Sequence, residues 1–254
     1  MIRLGRISYL NMAPVFHGLE ADVEEVLGVP TELNVALLDG RVEVAPISSI
    51  EWARNAGELL LLRRLCVSSE GAAGSIQLVT EVPFSDVRTV AVTPESATSV
   101  VLTKVLLPYA KHVALGEEAD AKLLIGDAAL RSAFEDPAPH YDLGRLWLER
   151  TGLPMVFAVW ACPDPPPDGI MELEEALVAS VKRARREASD LARRASEEYG
   201  YPAGWIARYF EQLRYSFGPR ERAGLRRFLE LARDARELDG AVPELRFVDE
   251  PVAA

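Results

Sequence analysis

The sequence predicts an α/β protein of two lobes with a ligand cleft between them. Three observations carry that prediction. The chain has 254 residues, 49% of them apolar, which is enough for two lobes of ordinary size around real cores. Short Val/Ile/Leu-rich runs alternate with helical segments in one rhythm, strand–helix–strand–turn–strand–helix, and that rhythm occurs twice. Two further apolar extended runs, SIQLVTEV (75–82) and MVFAVWA (155–161), separate or close the two units, as strands passing from one lobe to the other would.

In the first unit a strand over 4–9 leads to a helix over 14–27. A strand over 31–36, a turn over 37–40, a strand over 42–46 and a helix over 49–56 follow. In the second unit the same order is a strand over 89–92, a helix over 94–109, a strand over 112–115, an acidic turn over 116–120, a strand over 122–125 and a helix over 128–134. Continuously apolar strands of this kind suit parallel pairing with both faces covered. The stretch CPDPPPDG (162–169) reads as an exposed loop, because runs of proline join neither a sheet nor a helix interior. The rest is helical. Segment 170–199 places Leu173, Leu177, Val181, Ala184 and Leu191 on one side, and residues 200–202 break it. Trp205, Ile206, Tyr209, Phe210 and Leu213 form a second stripe. Gly218-Pro219 opens a last helix with Leu225, Phe228, Leu229 and Ala232 in phase and proline at a favourable first position. Such stripes face a core, and these helices are expected to pack back on the first lobe. Lobe 1 is then 1–76 with 162–254, lobe 2 is the inserted unit 77–161, and the two crossover segments form a hinge. This is the topology of type II periplasmic-binding-protein folds, and other doubly wound folds fit the pattern nearly as well.

Composition narrows the function. The net charge is −11, against binding of nucleic acid through its phosphates. The Arg-rich stretch KRARREASDLARR (182–194) is interleaved with acids and reads as a solvated helix face. Cys66 and Cys162 are far apart in apolar surroundings, which suits two reduced thiols rather than a disulfide or a metal pair. The opening MIRLGRISYLN lacks the charged and apolar regions of a signal peptide, and no segment approaches the roughly eighteen unbroken apolar residues of a membrane span. A soluble, cytoplasmic protein with no membrane partner is expected. There is no GxGxxG after a strand, no P-loop, HExxH, CxxC or G-x-S-x-G, and His17, His112 and His140 show no metal spacing. Nucleotide, zinc and triad chemistry lose ground, and neither a cofactor nor a metal is expected.

What remains is a set of small polar residues at strand-to-helix turns. Asn11 follows the first strand, Ser48 and Ser49 follow 42–46, Thr93, Ser96 and Ser99 follow 89–92, and Gly126 and Asp127 follow 122–125. In open α/β sheets ligands bind beyond the carboxyl ends of strands, so these residues look into one cleft. Each turn also has an ordinary explanation. Ser48-Ser-Ile-Glu51 matches a capping box, Thr93-Pro94-Glu95 matches a helix start, and Asp127 and Asn11 are good N-caps. The set is more than its parts: Thr93, Ser96 and Ser99 give a hydroxyl face at a helix start, where free N–H groups attract anions. The loop 68–75 adds Ser68, Ser69 and Ser75, with Gly71 and Gly74 allowing close backbone approach. The pattern suits a small carboxylate held by N–H and O–H donors.

These same residues carry a resemblance. SYLN (8–11), APISSIEWA (45–53), CVSSEG with GSI (66–71, 74–76), VTPESATS (92–99), LIGDAAL (124–130) and DLG…W…TGLPMVFAVW (142–160) occur in the order seen in the MqnA/MqnD family of the futalosine route to menaquinone. The blocks cover most of 1–160, and the C-terminal helical third adds little. The SYLNMAP opening resembles the dehydratase branch, whereas the sister 1,4-dihydroxy-6-naphthoate synthase branch begins with a Pro/Cys-rich SPCPNDTF-like motif. Ala72-Ala73-Gly74 departs from the family, where bulkier residues, often Pro-Val, stand.

The resemblance implies a binding-protein fold used as an enzyme, a carbon–oxygen lyase. It would remove water from chorismate to give 3-[(1-carboxyvinyl)oxy]benzoate without a cofactor. Asn11 is then the expected catalytic residue. Ser48, Ser69, Gly71, Ser75, Thr93, Ser96, Ser99 and Asp127 are the expected substrate contacts, with Ser49 and His17 as further candidates. His17 beside Phe16 also fits a structural histidine. A non-catalytic carboxylate-binding or sensor protein shares the fold, and the fold alone does not separate the two.

Overall fold

The structure, a computed structural model, describes residues 1–136 and 138–249. In the first part of the chain β1 (Ile2–Ile7) runs through a 3-10 turn, Leu10–Met12, into a short helix α1 (Ala13–Phe16). Then come β2 (Val23–Gly28), α2 (Pro30–Leu38), β3 (Ala45–Ser48), α3 (Ser49–Arg54) and β4 (Leu59–Ser69). The central part holds β5 (Ile76–Thr80), β6 (Thr89–Val92), α4 (Ala97–Leu106), β7 (Lys111–Ala114), β8 (Ala121–Ile125), α5 (Gly126–Glu135), β9 (His140–Asp142) and α6 (Leu143–Thr151). The chain returns through β10 (Met155–Pro163) to α7 (Ile170–Arg186), α8 (Ala188–Tyr199), α9 (Ala203–Gln212), β11 (Leu213–Ser216) and α10 (Pro219–Asp234).

Two bodies result. The central strands form a five-stranded sheet in the order β7-β6-β8-β5-β9. The others form a four-stranded sheet, β11-β4-β10-β3, and a parallel pair, β1-β2. That pair joins the larger sheet at Leu4 and Val44, where the Gly5 N–H donates to the Val44 carbonyl at 2.7 Å. The run MVFAVWA is the middle of the first body: β10 is flanked by β4 and β3 and is buried from Met155 to Cys162. Each of its large side chains contributes about 1.5–3 kcal/mol of apolar burial.

The second predicted unit matches element for element, though α4 starts at Ala97 and ends at Leu106 rather than spanning 94–109. The first unit does not. The helix expected over 14–27 ends at Phe16, Gly18 turns with φ +62°, and residues 23–28 pair in parallel with β1. The strand expected over 31–36 is helix α2 instead. Pro30 sits in its first turn, and the Glu32 carboxylate accepts the Val29 N–H at 3.0 Å. Leu33, Asn34, Ala36 and Leu37 are its buried face, a helical spacing. The strand expected over 42–46 is seen at Ala45–Ser48. The run 75–82, expected to pass between lobes, holds β5 at Ile76–Thr80, which lies within the five-stranded sheet and pairs antiparallel with both β8 and β9. Parallel pairing holds for β1–β2, β6–β7 and β6–β8, while the four-stranded sheet is antiparallel. The helix over 170–199 is two, meeting at Glu187. The loop expected over 162–169 begins later, because β10 extends to Pro163.

Candidate active site

A cavity of about 50 Å³ lies between the two bodies. Asn11 and Ser48 reach it from the first body, Ser96 and Ser99 from the second, and Ser75 from the connecting segment. Five residues separated by up to most of a lobe in sequence therefore share one small space.

Asn11 sits on the 3-10 turn after β1. Its backbone carbonyl accepts a hydrogen bond from the Tyr215 hydroxyl at 2.5 Å, which pins the turn. Its side-chain Oδ1 is buried and has no hydrogen-bond partner among the described residues. A buried amide oxygen without a partner carries a cost of about 1–3 kcal/mol, so it marks a place where a donor is expected from outside the chain. Asn11 is not a helix cap: the 3-10 turn opens after Tyr9, and no side chain caps it.

Ser48 precedes α3 without capping it by its side chain. Its hydroxyl accepts from Asn34 Nδ2 at 3.2 Å, and its N–H donates to Asn34 Oδ1 at 2.9 Å. The capping-box arrangement is absent, since Glu51 pairs with Arg54 at 2.6 Å. Ser96 does cap: its Oγ accepts the Ser99 N–H at 3.2 Å, and its hydroxyl donates to Ser99 Oγ at 2.9 Å. Both serines line the cavity at the start of a ten-residue helix. Capping and exposure to the cavity thus coexist.

The other sequence candidates lie outside the cavity lining. Ser49 donates to the Val156 carbonyl at 2.8 Å, and Ser69 to the Gly71 carbonyl at 3.0 Å. Ser68 donates to the Arg214 carbonyl at 3.3 Å. Thr93 Oγ1 accepts from the Glu95 N–H at 3.2 Å. Gly71 has φ +120° and faces Leu148. His17, which ends α1, pairs with Glu187 at 2.7 Å. Asp127 is in the first turn of α5 rather than at its N-cap, and its Oδ1 accepts the Leu10 N–H at 2.9 Å. Burial raises its pKa, a shift only partly offset by that hydrogen bond.

Three residues that the sequence did not single out, Asn34, Tyr9 and Asp142, organise this space together with Gly74 of the predicted loop. Asn34 holds Ser48 from behind. Tyr9 lines the cavity and donates its hydroxyl to Glu95 Oε2 at 2.8 Å. Burial first, and the Glu95 carboxylate second, push its phenol well above the usual range. Asp142 accepts N–H bonds from Ala73 and Gly74, at 2.9 and 2.7 Å, fixing the loop that delivers Ser75. Gly74 has φ +75°, and a Cβ there would lie 2.8 Å from Tyr209 Cδ2, so only glycine fits the approach. Among the described residues no cluster of His, Cys, Asp and Glu is arranged to hold a metal ion, and no helix is long and apolar enough to cross a membrane.

A family model described as menaquinone biosynthesis matches residues 2–234. The chain belongs to that family. Members similar to it include the chorismate dehydratase of Thermus thermophilus, 34% identical over 260 aligned residues that cover 89% of this chain and 93% of that protein. The chorismate dehydratase of Campylobacter jejuni subsp. jejuni is 35% identical over 167 residues, covering 62% of this chain and 66% of its own. Among solved structures, protein AF1704 of Archaeoglobus fulgidus superposes with a TM-score of 0.77 at 19% identity, over 92% of this chain and 97% of that one. The alkanesulfonate-binding protein SsuA of Xanthomonas axonopodis pv. citri does so with 0.70 at 13% identity, over 97% and 96%. At such identities the likeness is one of fold. The menaquinone-biosynthesis family member described here therefore has the two-lobed periplasmic-binding-protein architecture, and the cavity lies in its cleft.

Proposed function

We propose that this protein is a chorismate dehydratase, a lyase that converts chorismate to 3-[(1-carboxyvinyl)oxy]benzoate and water in menaquinone biosynthesis, acting in the cytoplasm. The near end-to-end likeness to the Thermus thermophilus chorismate dehydratase carries the proposal. The cleft chemistry supports it. Chorismate is a dicarboxylate with a hydroxyl on a cyclohexadiene ring. Breaking one ring C–H and the C–O bond of the hydroxyl makes the ring aromatic, and the proton and hydroxide leave together as water. The thermodynamic drive lies in the substrate, so the protein must bind, orient and exclude water.

In this scheme Asn11 orients the reacting groups. Its unpartnered Oδ1 accepts from a substrate donor, and its amide N–H groups donate to a carboxylate. The enolpyruvyl carboxylate of the substrate takes the ring proton. Ser48, Ser75, Ser96 and Ser99 surround the same space with hydroxyls suited to the carboxylates. The remaining candidates, Ser69, Gly71, Thr93 and Asp127, shape the turns that carry them. The segments between β4 and β5 and between α6 and β10 serve as the hinge between lobes. Ligand sites commonly enclose about 300–1,000 Å³. The cavity of about 50 Å³ is far smaller, so substrate entry requires the lobes to part.

The test is direct. Purified protein is mixed with chorismate and followed by ultraviolet absorbance and mass. A product one water lighter is expected. Tight binding without turnover would replace the enzyme with a sensor, and absence of both would remove chorismate as the ligand.

A further inference from the structure

We infer that Tyr9, gripped by Glu95, is a positioning residue: it latches the closed cleft and thereby sets the turn that presents Asn11. The inference rests on the cleft being the substrate site.

Three successive residues of the turn after β1 are each tied down. The Tyr9 hydroxyl donates to Glu95 Oε2 at 2.8 Å. The Leu10 N–H donates to Asp127 Oδ1 at 2.9 Å. The Asn11 carbonyl accepts from the Tyr215 hydroxyl at 2.5 Å. The first two acceptors belong to the second body and the third donor to the first. Glu95 is held from a second point of the first body, since its carbonyl accepts the Thr31 N–H at 3.3 Å. The Tyr9 ring packs against Gly126, which has φ +56°, and a Cβ on that glycine would stand 2.6 Å from Tyr9 Cδ2. The second body thus has a fitted seat for this ring, with a carboxylate at its end. Every polar group of the turn named here is satisfied by the protein except the Asn11 side-chain oxygen.

Both carboxylate contacts cross the cleft, so they exist only when it is closed. Opening wide enough to admit a ring dicarboxylate breaks them, and closing restores them. The same bonds that close the cleft therefore bring Asn11 to its place. Tyr9 need not touch the reacting atoms for this.

The experiment compares the wild type with Tyr9→Phe, Glu95→Ala, Glu95→Gln and the Tyr9→Phe/Glu95→Ala double variant. Exchange of the Leu10 amide is measured without ligand, and chorismate turnover separately. A hydrogen bond to a charged group holds the closed state by enough that its loss speeds Leu10 exchange about tenfold and lowers kcat/KM by a similar factor. The double variant should match either single one, because both break the same bond. Glu95→Gln should recover most of the loss, since its amide oxygen still accepts. Unchanged Leu10 exchange in Tyr9→Phe and Glu95→Ala overturns the latch, even if chorismate is dehydrated. Faster exchange in a wild-type background that neither binds nor dehydrates chorismate leaves the latch standing and removes the proposed function.

Discussion

The two walls of the cleft differ in how far the protein satisfies its own polar groups. On the wall of the second body, Ser96 and Ser99 bond to each other and close the start of α4. On the wall of the first body, Asn34 engages the Ser48 N–H and hydroxyl oxygen, while the Asn11 side-chain oxygen has no partner among the described residues. The difference separates two kinds of preparation. Hydroxyls that keep their helix-capping bond retain a lone pair or a rotor for a ligand, so they hold a carboxylate at little cost to stability. An amide left without a partner sacrifices stability for a contact that only the substrate completes, as functional groups often do.

Changes on and behind these walls break or sharpen the comparison, and their effects on stability descend in a definite order. Gly126→Ala on the second wall should cost about 3 kcal/mol, combining a left-handed backbone with a clash against Tyr9, and chemical denaturation measures it. Asn34→Ala behind the first wall should cost about 1–3 kcal/mol, because it strips the buried Ser48 N–H of its acceptor. An unchanged midpoint there would mean that water replaces the amide and the first wall is less dry than described. Ser96→Ala should cost about 1 kcal/mol, the scale of a lost cap, and should also weaken chorismate binding. Equal loss of stability with unchanged binding would reduce Ser96 to a cap. His17→Gln, outside both walls, should change turnover little and stability by no more than about 1 kcal/mol, since Glu187 is half exposed.

The carboxylate that crosses between the walls gives a pH signature. Burial raises the pKa of Asp127 in the folded protein. Between the ordinary carboxylate value and that raised value, the folded state binds more protons than the unfolded one. Stability from this group therefore falls as pH rises through the window. Asp127→Asn should gain stability relative to the wild type over that rise, as pH-dependent denaturation would register. A difference that is flat with pH would mean that the carboxylate is better solvated than its setting indicates.

Much of this architecture is legible in the residues. The unit at 89–134 follows its sequence closely because its strands are short, apolar and bounded by clear turns. MVFAVWA reads as an extended run passing between lobes, and it forms the strand between β4 and β3 in the first body. The misread stretch is 14–36, where Glu24 and Glu25 interrupt the alternation of an edge strand, and Thr31 and Val35 lend α2 a strand-like composition. The run LLLLRRLCVSS that becomes β4 is continuously apolar at its start, which fits a buried helix as well as a strand. The polar tips that line the cavity, Asn11, Ser48, Ser96 and Ser99, stand out locally because each follows a strand. The roles of Tyr9 and Glu95 do not, since each depends on a partner 86 residues away. Asn34 was hidden inside the misread segment, and Tyr215 lies on the four-residue strand β11, too short to declare itself.

The central claim is that the open amide carries the chemistry while the hydroxyl wall holds the ligand. The most direct measurement is chorismate binding by calorimetry and single-turnover dehydration, both on Asn11→Ala. The account predicts that this variant binds chorismate within a few-fold of the wild type and dehydrates it about a hundredfold more slowly, the scale for losing one preorganised polar group. Native-rate dehydration by Asn11→Ala would contradict it.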